Sequence, residues 1–106
     1  MNDLQLKREL TVHGIDLVGA ETIDEKAIQF QRALRLVIVP KDVSDMTSFR
    51  NIAKWLVDNC RSERFDKETI FRRVLDFALE ASGPKSRSPA AVFMYILKKE
   101  LGYLTY

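Results

Sequence analysis

Residues 22–37 read TIDEKAIQFQRALRLV and carry the clearest helical pattern in the N-terminal half of the chain. Their apolar side chains recur at intervals of three and four and share one helical face: Ile23, Ala27, Phe30, Leu34 and Val37. At the start of this stretch, the Thr22 hydroxyl can accept a hydrogen bond from the backbone amide three residues later, while Glu25 reaches back to the Thr22 amide. The stretch therefore predicts an amphipathic helix that needs other apolar faces to cover it.

The end of this helix is ambiguous in the sequence. Leu36-Val-Ile-Val39 is rich in β-branched residues and is followed by Pro40. A β-branched run that ends at proline is compatible with a last helical turn and with a short extended segment. Both interpretations stay open for residues 36–39.

Apolar spacing and capping residues predict helices on both sides of this stretch. One runs from about Asp3 to His13 and stops at Gly14. After a polar loop over residues 41–47, a third helix begins with Thr47 or Ser48 as its cap. Its apolar positions continue as far as Cys60.

Two more helices are predicted in the C-terminal half. Asp66 is a suitable cap for the fourth helix, which ends at the Ser82-Gly-Pro84 stretch. Ser88 followed by Pro89 is the usual opening of a helix, and Gly102 is placed to end it, with Tyr103 folding back on Leu97.

Composition agrees with a helical domain. The chain has 106 residues, of which four are Gly and three are Pro, and 46% are hydrophobic. A chain of this length can bury a core without disulfides or metals. We predict an all-α fold in which residues 1–106 form a compact single-domain bundle of four to five short helices.

The counts of chemically reactive residues exclude several functions. A structural zinc site needs four ligands of the Cys or His type, and Cys60 and His13 together supply two. The two also lack the third residue of a nucleophilic constellation. We therefore expect no metal, no cofactor and no catalytic residue, and predict that the protein is not an enzyme.

The sequence also lacks signals for membrane insertion. Its longest uninterrupted apolar stretch is residues 89–97, far shorter than the roughly twenty residues of a membrane span. The first ten residues, MNDLQLKREL, are charged where a secretion signal is apolar. With no second cysteine to form a disulfide, we expect a cytoplasmic protein that spans no membrane.

Positive charge concentrates in the C-terminal half. The net charge is +2, and residues 54–106 contain ten bases and seven acids. Lys85 and Arg87 lie in the loop before the last helix, and a spacing of 100° per residue places Lys98 and Lys99 on its solvent face with Tyr95. These four bases are the predicted nucleic-acid-binding residues, because phosphates are bound by basic groups and helix N-termini.

The run SRSPAAVFMYILKKELGY, residues 86–103, resembles a segment of helical modules in plasmid and phage replication-initiation or helicase-loader proteins. In those modules a basic residue and a Pro-Ala pair open a short helix that ends in a charged tail. The resemblance implies an accessory binding role in DNA replication, with Arg87 and Lys98 facing DNA. The last helix begins Pro-Ala-Ala and offers no Arg, Asn or Gln to read base edges, so we expect poor sequence specificity.

A protein partner is the alternative, and the second copy of a homodimer is one form of it. Trp55 lies off the main apolar line of the third helix, and an aromatic ring in that position either anchors a partner or fills a groove between packed helices. Tyr95 and the tail that begins at Tyr103 are the other aromatic candidates. Trp55, Tyr95 and Tyr103 are therefore the predicted partner-binding residues.

Overall fold

The helical pattern of the sequence produces five helices and, within residues 2–83 and 87–104, no strand. The structure is a computed structural model, and these are the residues that it describes. The helices are α1 (Asp3–Val12), α2 (Ile23–Val37), α3 (Val43–Arg61), α4 (Ile70–Ala81) and α5 (Pro89–Leu101). The predicted all-α single domain is confirmed.

The amphipathic helix α2 lies at the centre of the packing. It packs against both α3 and α4, while α5 packs on α4 and α1 packs on α2. Phe30 of α2 meets Phe71 of α4 with ring centroids 5.6 Å apart, and Phe49 of α3 meets Phe93 of α5 at 6.4 Å. The largest fully buried side chains come from all five helices: Leu6, Phe30, Leu34, Ile52, Leu56, Val74, Leu75, Phe93 and Leu97. One continuous core therefore joins the N-terminal and C-terminal halves.

At its N-terminal end α2 forms one of the two predicted capping hydrogen bonds, and at its C-terminal end it shows both of the conformations that the sequence left open. The Thr22 hydroxyl accepts a hydrogen bond from the Glu25 amide at 3.1 Å, as predicted, but the Glu25 carboxylate accepts from the Glu21 amide rather than from Thr22. At the other end, Val37 is the last helical residue and Ile38 is extended, with φ −122° and ψ 100°. The ambiguous stretch is thus divided between a last helical turn and an extended segment before Pro40.

The start of α3 corrects the sequence prediction. Residues 41–47 are not a loop with a cap at Thr47 or Ser48, because α3 begins at Val43 with Asp42 as its N-cap. The Asp42 carboxylate accepts from the Asp45 amide at 3.0 Å, and the Asp45 carboxylate accepts from the Lys41 amide at 3.0 Å. The first turn of α3 is mostly exposed, and its apolar residues Val43 and Met46 lie outside the buried stripe that begins at Phe49.

The start of α4 is also displaced from its prediction. Asp66 does not cap the helix directly; it opens a turn over residues 67–69, and α4 begins at Ile70. The Asp66 carboxylate accepts from the Glu68 amide at 3.0 Å, and the Asp66 carbonyl accepts from Thr69 and Ile70 amides. An aspartate can stabilise a turn or a helix start with the same hydrogen bond, which is why spacing alone misplaced it.

The predicted ends of α5 are both found. Ser88 is the N-cap residue and Pro89 the first helical residue, although the Ser88 side chain makes no capping hydrogen bond. Gly102 is in the left-handed conformation with φ 71°, which a residue with a Cβ rarely adopts. The Tyr103 amide then donates to the Leu97 carbonyl at 3.3 Å, so the chain folds back onto α5 as predicted.

Candidate nucleic-acid interface

Helix α5 buries one side and exposes the other. Its buried residues, Phe93, Leu97 and Leu101, face the core. The opposite side carries five exposed residues, which we call the α5 surface: Ala91, Val92, Tyr95, Lys98 and Lys99. Tyr95 is 64% exposed and lies one helical turn before the two lysines. The structure therefore brings together three of the predicted binding residues on one open face.

The α5 surface is cationic without a compensating acid. Neither Lys98 nor Lys99 forms an ion pair with any residue of the described part of the chain. Glu100 is the one acid between residues 87 and 104, and the helical repeat turns it about 140° away from Tyr95. The two ammonium groups are consequently available to an anion from solution.

Two arginines elsewhere in the molecule are neutralised by the fold. Arg61 donates to both carboxylate oxygens of Asp24, at 2.9 and 3.0 Å, and so ties α3 to α2. Arg72 pairs with Asp76 one turn later, as its spacing predicts, and also with Asp3 of α1. Lys98 and Lys99, like Arg50 and Lys54, have no such partner within residues 2–83 and 87–104.

The two predicted bases before α5 have different outcomes. Arg87 is exposed and immediately precedes the N-cap Ser88. It lies at the opposite end of α5 from Lys98, about 16 Å away along the helix axis. Lys85 lies outside the described residues. Arg87 can therefore extend the cationic surface but does not cluster with the lysines.

Trp55 and Tyr103 belong to the interior. Trp55 is 6% exposed and Tyr103 is 3% exposed, and their rings meet edge to face with centroids 4.9 Å apart. Trp55 also meets Phe65 at 5.3 Å. The groove-filling interpretation of Trp55 agrees with this packing, which fastens the C-terminal segment to α3. A partner could reach either ring only if this packing opened, so Tyr95 is the exposed aromatic candidate.

The residues with catalytic potential are dispersed. His13 ends α1, and its Nε2 lies 3.7 Å from a carboxylate oxygen of Glu9. Cys60 is buried on α3, and this burial raises the pKa of its thiol, with the nearby negative charge of Asp66 adding to the rise. A thiol in this state is a poor nucleophile. Residues 2–83 and 87–104 hold no group of three or more His, Cys, Asp or Glu side chains that could bind a metal ion.

Sequence reasoning missed one residue of interest, Lys26. It is only 6% exposed, although its ammonium group is charged. Its position held a signal, because spacings of three from Ile23 and four to Phe30 place Lys26 within the apolar stripe of α2. A lysine at such a position is rare and requires an anionic partner or an anionic ligand.

Comparisons with protein-family models, with curated proteins and with solved structures found no match. Across residues 2–83 and 87–104, every helix is too short or too polar to cross a lipid bilayer.

Proposed function

We propose that this protein is a non-enzymatic helical module that binds DNA through the α5 surface. The observation that carries the proposal is the exposed trio of Tyr95, Lys98 and Lys99, with no acid on the same face. Lysine side chains that bind phosphates release condensed counterions, and this release supplies most of the affinity of sequence-independent DNA binding.

Tyr95 favours single-stranded over double-stranded DNA as the ligand. An exposed aromatic ring beside lysine side chains can stack on an unpaired nucleobase, while the lysine ammonium groups contact the adjoining phosphates. Within α5 the basic residues are lysines at its C-terminal end, and its first turn carries no side chain that reads base edges. We expect binding to be weak, salt-sensitive and largely independent of sequence.

The resemblance of residues 86–103 to replication modules supports the same proposal. It would give the protein an accessory role in replication, in which DNA contact assists a partner that carries the enzymatic activity. A module with a net charge of only +2 suits such assisted binding better than tight binding alone.

Fluorescence anisotropy with labelled single-stranded and double-stranded DNA of matched length tests the proposal. Each titration is made at low and near-physiological salt with the wild type and with Lys98→Glu/Lys99→Glu. The matched control is Arg50→Glu/Lys54→Glu, which changes net charge equally but lies in the shallow groove between α2 and α3.

We expect saturable binding that weakens as salt rises, is lost in the α5 variant and is largely kept in the control variant. Equal losses in the two variants would assign the binding to net charge rather than to α5. Absence of binding by the wild type at low salt would contradict the proposal.

A protein-binding function is the second candidate, because the α5 surface also exposes apolar groups. Val92 is 39% exposed beside Tyr95, and Leu104 is 71% exposed after the end of α5. Apolar association would tolerate salt and would be sensitive to Val92→Ser and Tyr95→Ser. Sedimentation at several concentrations of wild type and variants would reveal a homodimer of this kind.

A further inference from the structure

A cleft lies between α1, residues 15–18 and the N-terminal ends of α2 and α4. Its volume is about 730 Å³, within the range of small-molecule sites. Part of its wall is apolar and is formed by Leu10, Ile15 and Phe71, and Lys26 also lies among the lining residues. Helix α1, which closes one side, has Leu6 as its one buried residue, so the cleft is bounded by a lightly packed element.

Lys26 is the unusual member of this lining. Its side chain is 7% exposed, and its nearest carboxylate oxygen, on Glu68, is 3.7 Å away, too far for a hydrogen bond. No residue in the described ranges accepts a hydrogen bond from the Lys26 ammonium. An ammonium group has three protons to donate, and leaving them without acceptors in a buried position is costly. An anionic group in the cleft would relieve that cost.

The other acids of the cleft are engaged or exposed. The Asp16 carboxylate accepts from the Val18 and Gly19 amides, at 3.0 and 2.7 Å, and thereby holds the loop. Asp3 is paired with Arg72, and the Glu68 side chain is 64% exposed. Glu68 alone of the three forms an ion pair with Lys26, at 3.7 Å and without a hydrogen bond.

The charge of the lining indicates which anion fits. The cleft is lined by four basic residues, Lys7, Lys26, Lys67 and Arg72, and by three acids, Asp3, Asp16 and Glu68. The excess of one positive charge favours binding of an anion, and a single negative charge is enough to balance it. The apolar wall suits a ligand with a hydrocarbon body.

We propose that this cleft binds a small organic monocarboxylate, with the carboxylate on Lys26 and the apolar body against Leu10, Ile15 and Phe71. Lys26 supplies a charge-assisted hydrogen bond in a position where water competes poorly. The site lies in the N-terminal half and on α4, apart from the α5 surface, so the proposal does not depend on DNA binding.

The test is a titration of the ¹⁵N-labelled protein with octanoate, followed by amide chemical shifts. We expect saturable shifts in α1, residues 15–19 and the start of α4. Lys26→Met keeps the length and apolar stem of the side chain but removes the charge, and should weaken octanoate binding about tenfold or more. The matched control Lys54→Met replaces an exposed lysine and should bind octanoate as the wild type does.

Glu68→Gln gives a second variant with an effect of opposite sign. It removes the carboxylate that competes for Lys26, so octanoate should bind more tightly, by about twofold to fivefold. Octanol has the same hydrocarbon body without the charge and should leave these amides unshifted at equal concentration. The dispersion of the amide spectrum reports whether each variant is folded.

Three results would overturn the proposal. The first is an absence of saturable shifts at these residues in both the wild type and Glu68→Gln. The second is equal octanoate affinity in the wild type and a folded Lys26→Met variant, which would show that Lys26 only pairs with Glu68. The third is tighter binding of octyl phosphate than of octanoate, which would show that the cleft prefers a phosphate group to a carboxylate.

Discussion

Helices α3 and α5 each place an aromatic residue near their middle, yet the two residues have opposite surroundings. Trp55 of α3 is 6% exposed, and Tyr95 of α5 is 64% exposed. The Trp55 ring is covered by Phe65 and by Tyr103, which returns after the end of α5. Tyr95 lies on the side of α5 turned away from the core. The difference teaches that burial was decided by what later parts of the chain cover, not by residue type.

The test with the largest expected effect is to replace each aromatic side chain, Trp55 or Tyr95, by alanine. Trp55→Ala should lower the free energy of unfolding by about 3–5 kcal/mol, because it leaves a cavity between α3 and the C-terminal segment. Tyr95→Ala should change it by less than about 0.5 kcal/mol, as for other exposed positions. Urea unfolding followed by circular dichroism measures both. Similar values for the two variants would mean that the rings do not differ in packing.

The second test concerns the role of the exposed ring. Tyr95→Ala should weaken single-stranded DNA binding by about 1–3 kcal/mol, the usual contribution of one stacked base, while Tyr95→Phe should keep most of the affinity. Fluorescence anisotropy at low salt measures this loss. If Tyr95→Ala binds as tightly as the wild type, the α5 surface contacts DNA through its charges alone.

The third test compares the N-caps of the same two helices. The Asp42 carboxylate accepts the Asp45 amide at the start of α3, whereas the Ser88 hydroxyl makes no capping hydrogen bond at the start of α5. Asp42→Ala should therefore cost about 1 kcal/mol of stability, and Ser88→Ala should cost clearly less. Thermal and urea unfolding measure the difference. Equal costs would show that Ser88 caps α5 in solution.

The smallest effect is a pH dependence that originates on α3. Burial raises the pKa of the Cys60 thiol above its ordinary value of 9.0, Asp66 adds to the rise and Lys67 offsets part of it. Between pH 9.0 and the higher folded-state pKa, the Cys60 thiol therefore stays protonated in the folded state but is ionised in the unfolded chain. The associated stability is fully present below pH 9.0 and is lost as pH rises through the folded-state pKa.

Unfolding of wild type and Cys60→Ala at pH 8 and pH 10 measures this effect. Because Lys and Tyr residues also titrate in this range, the comparison between the two proteins is the relevant quantity. The wild type should lose more stability than Cys60→Ala between the two pH values, because only the wild type carries the thiol whose pKa is raised on folding. Equal losses would indicate that the thiol ionises as readily in the folded state as in the unfolded chain.

The sequence predicted the helices better than it predicted where they begin. The apolar stripes from Ile23 to Val37 and from Phe49 to Cys60 specify α2 and α3, because burial of one face repeats every three to four residues. The starts of α3 and α4 were misplaced, since Asp42 and Asp66 make similar local hydrogen bonds, one at a helix and one at a turn. Val43 and Met46 in the first turn of α3 are exposed, so the buried apolar stripe begins only at Phe49 and does not mark the start of the helix.

For the sites, the sequence predicted the exposed face of α5 and missed the cleft at Lys26. Helical spacing alone places Tyr95 with Lys98 and Lys99, because the residues of one helix keep fixed angular positions. The cleft combines α1, residues 15–18, α2 and α4, and its lining residues Asp3 and Arg72 are separated by 69 residues along the chain. No spacing rule within one segment connects Lys26 with Glu68.

The sequence by itself determined the helical class, the apolar faces and the ends of α5 at Pro89 and Gly102. Each of these depends on contacts within a few residues, such as caps, spacing and the conformational freedom of glycine. Only the tertiary structure decided that Trp55 is covered, that Tyr95 is not, and that Lys26 is buried 3.7 Å from Glu68. Those outcomes depend on how helices distant in the chain pack together, and exposure is a property of that packing rather than of any single segment.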